Sequence, residues 1–157
     1  MKKIITRLGS IELNEKVIIT DPCYEADYHF YNEIITDMKP GTYDCYMNTV
    51  ELKDWGRRVT DIFIVHVDYL DVKPSYRLVS RHIGVDSAQA GIFSYDYFVE
   101  HQQNNDWYDT VCSITDNHAG IIDNSGVVSM SGYGDGLYSL YSMRKDRKTI
   151  ALKLKFI

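Results

Sequence analysis

Apolar and polar residues alternate along much of the chain with the two-residue period of half-buried β-strands. The clearest run is Ile150, Leu152, Leu154 and Phe156 on one face with Ala151, Lys153 and Lys155 on the other, after a turn over 144–148. Residues 3–20 predict strand, turn and strand: Lys3–Leu8, a turn at Gly9-Ser10, the short alternation Ile11-Glu12-Leu13, a polar turn over 14–16, then Val17–Thr20. Thr42–Leu52, rich in Tyr, Thr and Val, predicts a strand that pairs with 61–70 across the charged connection 53–58. In Ile62–Val67 both faces are apolar, which predicts a central strand with His66 as a satisfied core histidine. Tyr76–Val85 predicts another strand. Ile121-Ile122 precede a turn over 123–126, and residues 126–141 read as strand (GVVSMS), glycine turn (GYGDG) and strand (LYSLY), either a hairpin or one wall of a site.

Helical spacing is scarcer. Tyr28, Tyr31, Ile34 and Ile35 predict a short helix near 27–36 that stops before Pro40-Gly41, and Tyr95–Gln102 predicts a helical turn. A further helix is expected over 106–117, capped by Asn105, with Asp106 and Asp109 in its first turn and Trp107, Val111 and Ile114 on one face. The expected fold is α+β: mainly antiparallel β, as a sandwich or a strongly curved sheet, with one or two short helices. No repeat or long linker divides the chain, so residues 1–157 read as a single domain.

Charge narrows the partners. A net charge of -5 argues against a nucleic-acid binder, which needs many Lys and Arg contacts to phosphate. Residues 144–157 nevertheless hold six bases and one acid, while residues 1–143 hold 11 bases and 21 acids. The basic segment reads as an edge strand guarded by lysines, or alternatively as a polyanion patch. Three cysteines at wide spacing, with no CxxC, suit reduced thiols in a cytoplasm. No apolar run approaches the roughly 20 residues of a membrane span, so no membrane partner is expected. Thirteen tyrosines either fill the margins of a small β core or stack on a planar ligand.

The candidate chemistry lies in three acid-bearing loops at strand ends: DPCY at 21–24, GVDS at 84–87 and GYGDG at 132–136. Pro22 restricts Asp21 to an extended conformation and is expected to aim its carboxylate away from the strand end. If the loops meet, the ligand-binding candidates are Asp21, Tyr24, Asp86, Ser87, Trp107, Tyr133, Asp135 and Tyr138. The aspartates would accept hydrogen bonds from ribose hydroxyls or base amino groups, and Ser87 with the glycine-loop N–H groups would donate to phosphate. Tyr24, Trp107, Tyr133 or Tyr138 would stack on a base, and Arg81 and His82 would add positive charge.

DPCY at 21–24, GVDSAQAGIF at 84–93, DWYDTVC at 106–112 and GVVSMSGYGDGLYSLY at 126–141 together resemble a family of small bacterial and phage proteins similar to the DUF4241 group. The order and spacing match over most of the chain. In that family the 84–93 loop more often reads VDSGQ and the last turn GDGSYPV; here Ala88 stands in place of the glycine and Leu137 in place of the serine. The resemblance implies a β-rich fold and a bacterial or phage setting, hence the cytoplasm of a bacterial host cell, and no established activity.

The expected function is a small-molecule binding protein, a phage or bacterial sponge for a nucleotide-derived signal. One alternative is a metal-assisted hydrolase of a nucleotide or other small phosphorylated substrate. In it the three aspartates would hold a divalent cation, with Cys112, His82, His101 and His118 as nucleophile or base candidates. The other is a protein-interaction or structural homo-oligomer. No catalytic residue and no cofactor is assigned: the motifs of phosphate loops and of common hydrolases are absent.

Overall fold

The computed structural model describes residues 2–157. Its strands are β1 (Ile4–Leu13), β2 (Val17–Thr20), β3 (Glu33–Ile35), β4 (Gly41–Leu52), β5 (Gly56–His66), β6 (Arg77–Val85), β7 (Gln89–Ser94), β8 (Ala119–Ile122), β9 (Gly126–Met130), β10 (Gly136–Lys145) and β11 (Lys148–Lys155). Helices α1 (Tyr95–His101) and α2 (Trp107–Thr115) lie between β7 and β8. The strands form a six-stranded sheet of order β1-β4-β5-β11-β10-β6 and a five-stranded sheet of order β3-β2-β7-β9-β8. Every strand pairing is antiparallel. The fold is thus α+β and predominantly antiparallel β, as the alternation predicts.

One core lies between the two sheets, and residues from both contribute to it: Ile11, Tyr43, Ile62, Ile64, Leu152 and Leu154 from the larger, Val17, Ile19, Ile92 and Val127 from the smaller. Burying one such aliphatic side chain stabilises by about 1.5–3 kcal/mol. A second cluster joins the other face of the smaller sheet to the helices through Ile18, Phe93, Phe98, Trp107, Val111 and Val128. The smaller sheet is therefore covered on both faces, and its strands β2, β7 and β9 are almost wholly buried. Gly91 and Gly126 make room for Phe93 there, since a Cβ at either would lie within 2.7 Å of its ring.

The structure corrects several expectations. Gly9-Ser10 is a bulge, not a turn: β1 runs unbroken through it, with Gly9 at φ 141° and the register against β4 shifting between Arg7 and Gly9. The predicted helix near 27–36 is a series of turns followed by β3, because Ile35 and Ile34 pair with Val17 and Ile18 of β2. The predicted strand 61–70 begins earlier, at Gly56, and ends at His66, where Val67–Tyr69 form a 3-10 turn. Helix α2 starts behind Asp106, not Asn105, and the Asp106 side chain makes no capping bond. β11 is an inner strand between β5 and β10, not an edge, so its lysines guard nothing. The helical turn near 95–102 forms as α1. His66 is buried: Nδ1 accepts from the Asp68 N–H (3.1 Å), so Nε2 carries the proton and donates to the Pro40 carbonyl (3.1 Å).

GYGDG is not a hairpin turn. It carries the chain from β9 in one sheet to β10 in the other, and GVDSA likewise carries it from β6 to β7. The two crossings run side by side, with Gly136 paired to Val85 on one sheet and Gln89 to Met130 on the other. Gly132 (φ 59°) and Gly134 (φ 117°) supply the left-handed backbone that the corner needs.

Candidate functional site

The site grows from Asp21, which follows β2 and is fully buried. Its carboxylate accepts four hydrogen bonds. Oδ1 receives the Cys23 N–H (2.8 Å) and the Ser87 hydroxyl (2.7 Å); Oδ2 receives the N–H groups of Asp86 and Ser87 (2.8 Å each). The carboxylate thus leaves the strand end for the protein's own β6–β7 crossing and not for a ligand. A turn closes behind it, with the Tyr24 N–H donating to the Asp21 carbonyl (3.1 Å), and the acid points into the β6–β7 crossing. Successive N–H groups in such a turn form an anion-binding concavity, and here the protein's own buried carboxylate fills it.

Asp135 completes the junction. Its Oδ1 accepts the Ala88 N–H (2.9 Å), and the Ser131 N–H returns a bond to the Ala88 carbonyl (3.1 Å). Ala88 sits at φ 60°, in the left-handed region, where an L side chain costs roughly 1–2 kcal/mol. The three acid-bearing loops thus meet. Of the donors expected to serve a phosphate, the Ser87 hydroxyl is held by Asp21 and the Gly134 N–H by the Ser131 carbonyl (2.9 Å); Asp21 and Asp135 also hold the N–H groups of Asp86, Ser87 and Ala88.

The same bonds bear on the cation that the hydrolase alternative would place among the three aspartates. With two donors on each oxygen, Asp21 has no lone pair to offer a cation, and among the described residues no three His, Cys, Asp or Glu are placed to share a metal ion. No histidine side chain among the described residues hydrogen-bonds to Cys112 or Ser87; the group that accepts the Ser87 hydroxyl is the Asp21 carboxylate.

Beside this junction lies a cleft of about 600 Å³. Tyr24, Tyr28 and Tyr31 line it together with Gly84, Val85, Asp86, Asp135, Gly136 and Leu137. The tyrosine rings follow one another, Tyr24 to Tyr28 edge-on at 4.8 Å and Tyr28 to Tyr31 at 5.6 Å. Tyr24 donates its hydroxyl to Asp86 Oδ2 (2.7 Å); burial, and then this bond, raise its pKa well above the ordinary 10.0 and keep the proton in place. Gly84 seats Tyr31: its N–H donates to the Tyr31 carbonyl (2.8 Å), and a Cβ on Gly84 would lie 2.7 Å from Tyr31 Cβ. Asp86 Oδ1 and Asp135 Oδ2 accept no hydrogen bond from the described residues.

Of the eight residues expected from the sequence, Tyr24, Asp86 and Asp135 line this cleft, and Asp21 and Ser87 brace the loop that carries Asp86. The other three lie elsewhere. Trp107 is buried among the helices and donates its indole N–H to the Pro22 carbonyl (2.7 Å), so it anchors DPCY and has no face open for stacking. Tyr133 is exposed and meets Trp55 edge-on at 5.0 Å. Tyr138 donates to the Gly134 carbonyl (2.5 Å) and packs on Phe156 at 5.2 Å. Tyr28 and Tyr31 are the lining residues that sequence reasoning missed, because their spacing was read as helical. The better signal was four aromatic side chains between Tyr24 and Tyr31 with no Lys or Arg among them. Comparison with protein families, with curated proteins and with solved structures found no significant match.

Proposed function

We propose that this is a small-molecule binding protein whose ligand lies in the cleft between the tyrosines at 24, 28 and 31 and the carboxylates of Asp86 and Asp135. The observation that carries the reading is a concave site in which three aromatic rings flank two carboxylate oxygens that the protein leaves unbonded. A nucleoside-derived signal suits it through its base and sugar: the base stacks on a tyrosine, and amino or ribose hydroxyl groups donate to the carboxylates. Its phosphates would lie past Leu137, where Arg81 and Lys155 line a neighbouring groove. In a bacterial or phage setting the corresponding role is sequestration.

The test is a melting-temperature screen of nucleosides, cyclic nucleotides and small polar metabolites. A ligand at 100 times its Kd adds about 2.7 kcal/mol, which raises the midpoint by about 5–10 °C in a domain of this size. Tyr28→Leu abolishes the shift, and mass spectrometry recovers the ligand unaltered. The reading fails if no compound in such a screen moves the midpoint.

A further inference from the structure

The chemistry of the cleft is one-sided. No Lys, Arg or His side chain lines it. The N–H groups of Asp86, Ser87 and Ala88, which an anion beside Asp86 would use, are taken by Asp21 and Asp135. What remains toward the ligand is two free carboxylate oxygens and three tyrosine rings, of which Tyr28 is 43% and Tyr31 38% exposed.

The chain segments that carry the lining residues have the same sign of charge. All nine lining residues come from two stretches of the chain, 17–38 and 83–143. The first contains five Asp or Glu and no Lys or Arg; the second contains eight and none, so every lysine and arginine lies outside the segments that build the cleft. Arg81 and Lys155 line a separate groove that shares only Leu137 with it. Phosphate or carboxylate entering the cleft meets like charge at both Asp86 and Asp135. An ammonium or guanidinium group meets two counter-ions and the electron-rich faces of tyrosine rings.

We infer that the cleft selects an organic cation, a primary or quaternary ammonium or a guanidinium head, with Asp86 and Asp135 as counter-ions and the Tyr28 and Tyr31 rings against its apolar sides. The inference rests on the reading of this cleft as a ligand site and assigns the class of ligand. Asp21 has no direct contact with it.

The experiment is isothermal titration of the full chain at 150 mM NaCl with choline, agmatine and spermidine, alongside adenosine and AMP. Saturable binding of at least one cation is expected, tighter than that of adenosine or AMP. Replacing both carboxylates (Asp86→Asn with Asp135→Asn) keeps the acceptors for Tyr24 and Ala88 and removes both charges, so cation affinity falls at least tenfold. Tyr28→Leu, at a half-exposed position, lowers it by a similar factor without touching the loop junction and serves if the double variant folds poorly. Cation heats that do not saturate, or that both variants leave unchanged, overturn the inference. Adenosine or AMP binding in a Tyr28-dependent way while every cation fails overturns the charge assignment alone and leaves the cleft as a ligand site. Silence from all five probes, with the metabolite screen also negative, removes both readings.

Discussion

Replacing Asp21 by alanine separates a structural anchor from a ligand contact. The substitution strips the acceptor from three backbone N–H groups and the Ser87 hydroxyl, all of which donate to a buried carboxylate at 2.7–2.8 Å. Hydrogen bonds to a charged group are worth about 1.5–3 kcal/mol each, so four left wholly unmet would cost on the order of 6–12 kcal/mol. The loop relieves part of this, because Asp86 and Cys23 lie at the surface and their N–H groups reach water once the crossing loosens. The expected net loss is about 3–5 kcal/mol, at the upper end for single substitutions. Asp21→Asn retains one acceptor oxygen and turns an amide NH2 toward two donors, for an expected loss of about 2–3 kcal/mol. Urea denaturation followed by circular dichroism measures both, and in a thermal melt of a chain this long each kcal/mol lowers the midpoint by about 2–4 °C. Hydrogen exchange locates the damage: the Asp86 and Ser87 amides lose protection while those of β5 keep it. Losses below 1 kcal/mol in both variants, with exchange unchanged, would refute the anchor. A carboxylate held for a ligand would instead give lost binding at an unaltered midpoint.

Ala88→Gly relieves the left-handed backbone at φ 60° and is expected to stabilise the fold by about 0.5–1 kcal/mol after the greater freedom of unfolded glycine is set against it, as read from urea denaturation. Gly91→Ala works the other way: its Cβ would stand 2.6 Å from both the Val127 carbonyl and the Phe93 ring, for a loss of at least about 2 kcal/mol by the same measurement. Alkaline pH probes the buried phenols. Burial raises the pKa of Tyr43 and Tyr97, and that of Tyr76 to about 12, so their protonated forms belong to the folded state. Stability from these groups is fully present below the unfolded value of about 10 and declines as pH rises from there toward 12. Phenolate absorbance from them then appears together with unfolding; ionisation near pH 10 with the circular dichroism intact would contradict this.

Strand content was legible because a sandwich imposes a period of two, and Leu152, Leu154 and Phe156 face the core as their alternation requires. What escaped was mostly non-local. The spacing of Tyr28, Tyr31 and Ile34 suits a helix as well as it suits a turn and a strand, and pairing of Ile34 and Ile35 with β2 decides between them. Glycine corners look alike whether the next strand returns to the same sheet or crosses to the other, so GYGDG suits a hairpin as well as one wall of a site. Outward lysines at 153 and 155 mark a solvated sheet face as readily as an edge. At the site, the meeting of three loops was visible in their shared chemistry. The direction of Asp21 was not, since a carboxylate at a strand end serves equally as a ligand group or an internal anchor, and only its burial and four donors distinguish them.

The inner position of β11 has a consequence during synthesis. β1, β4 and β5 form one half of the larger sheet, β10 and β6 the other, and β11 is the strand that joins them. Until residues 148–155 leave the ribosome, the edge of β5 that will receive them, Asp61 to Val65, has no partner in the native arrangement. Translation proceeds at about 5–20 residues per second, so this apolar edge waits roughly 5–20 s. An unpaired hydrophobic strand is a template for pairing with another chain. Yield in a cell is therefore expected to depend on chaperone capacity and on translation speed after residue 66 more than on the stability of the finished sandwich.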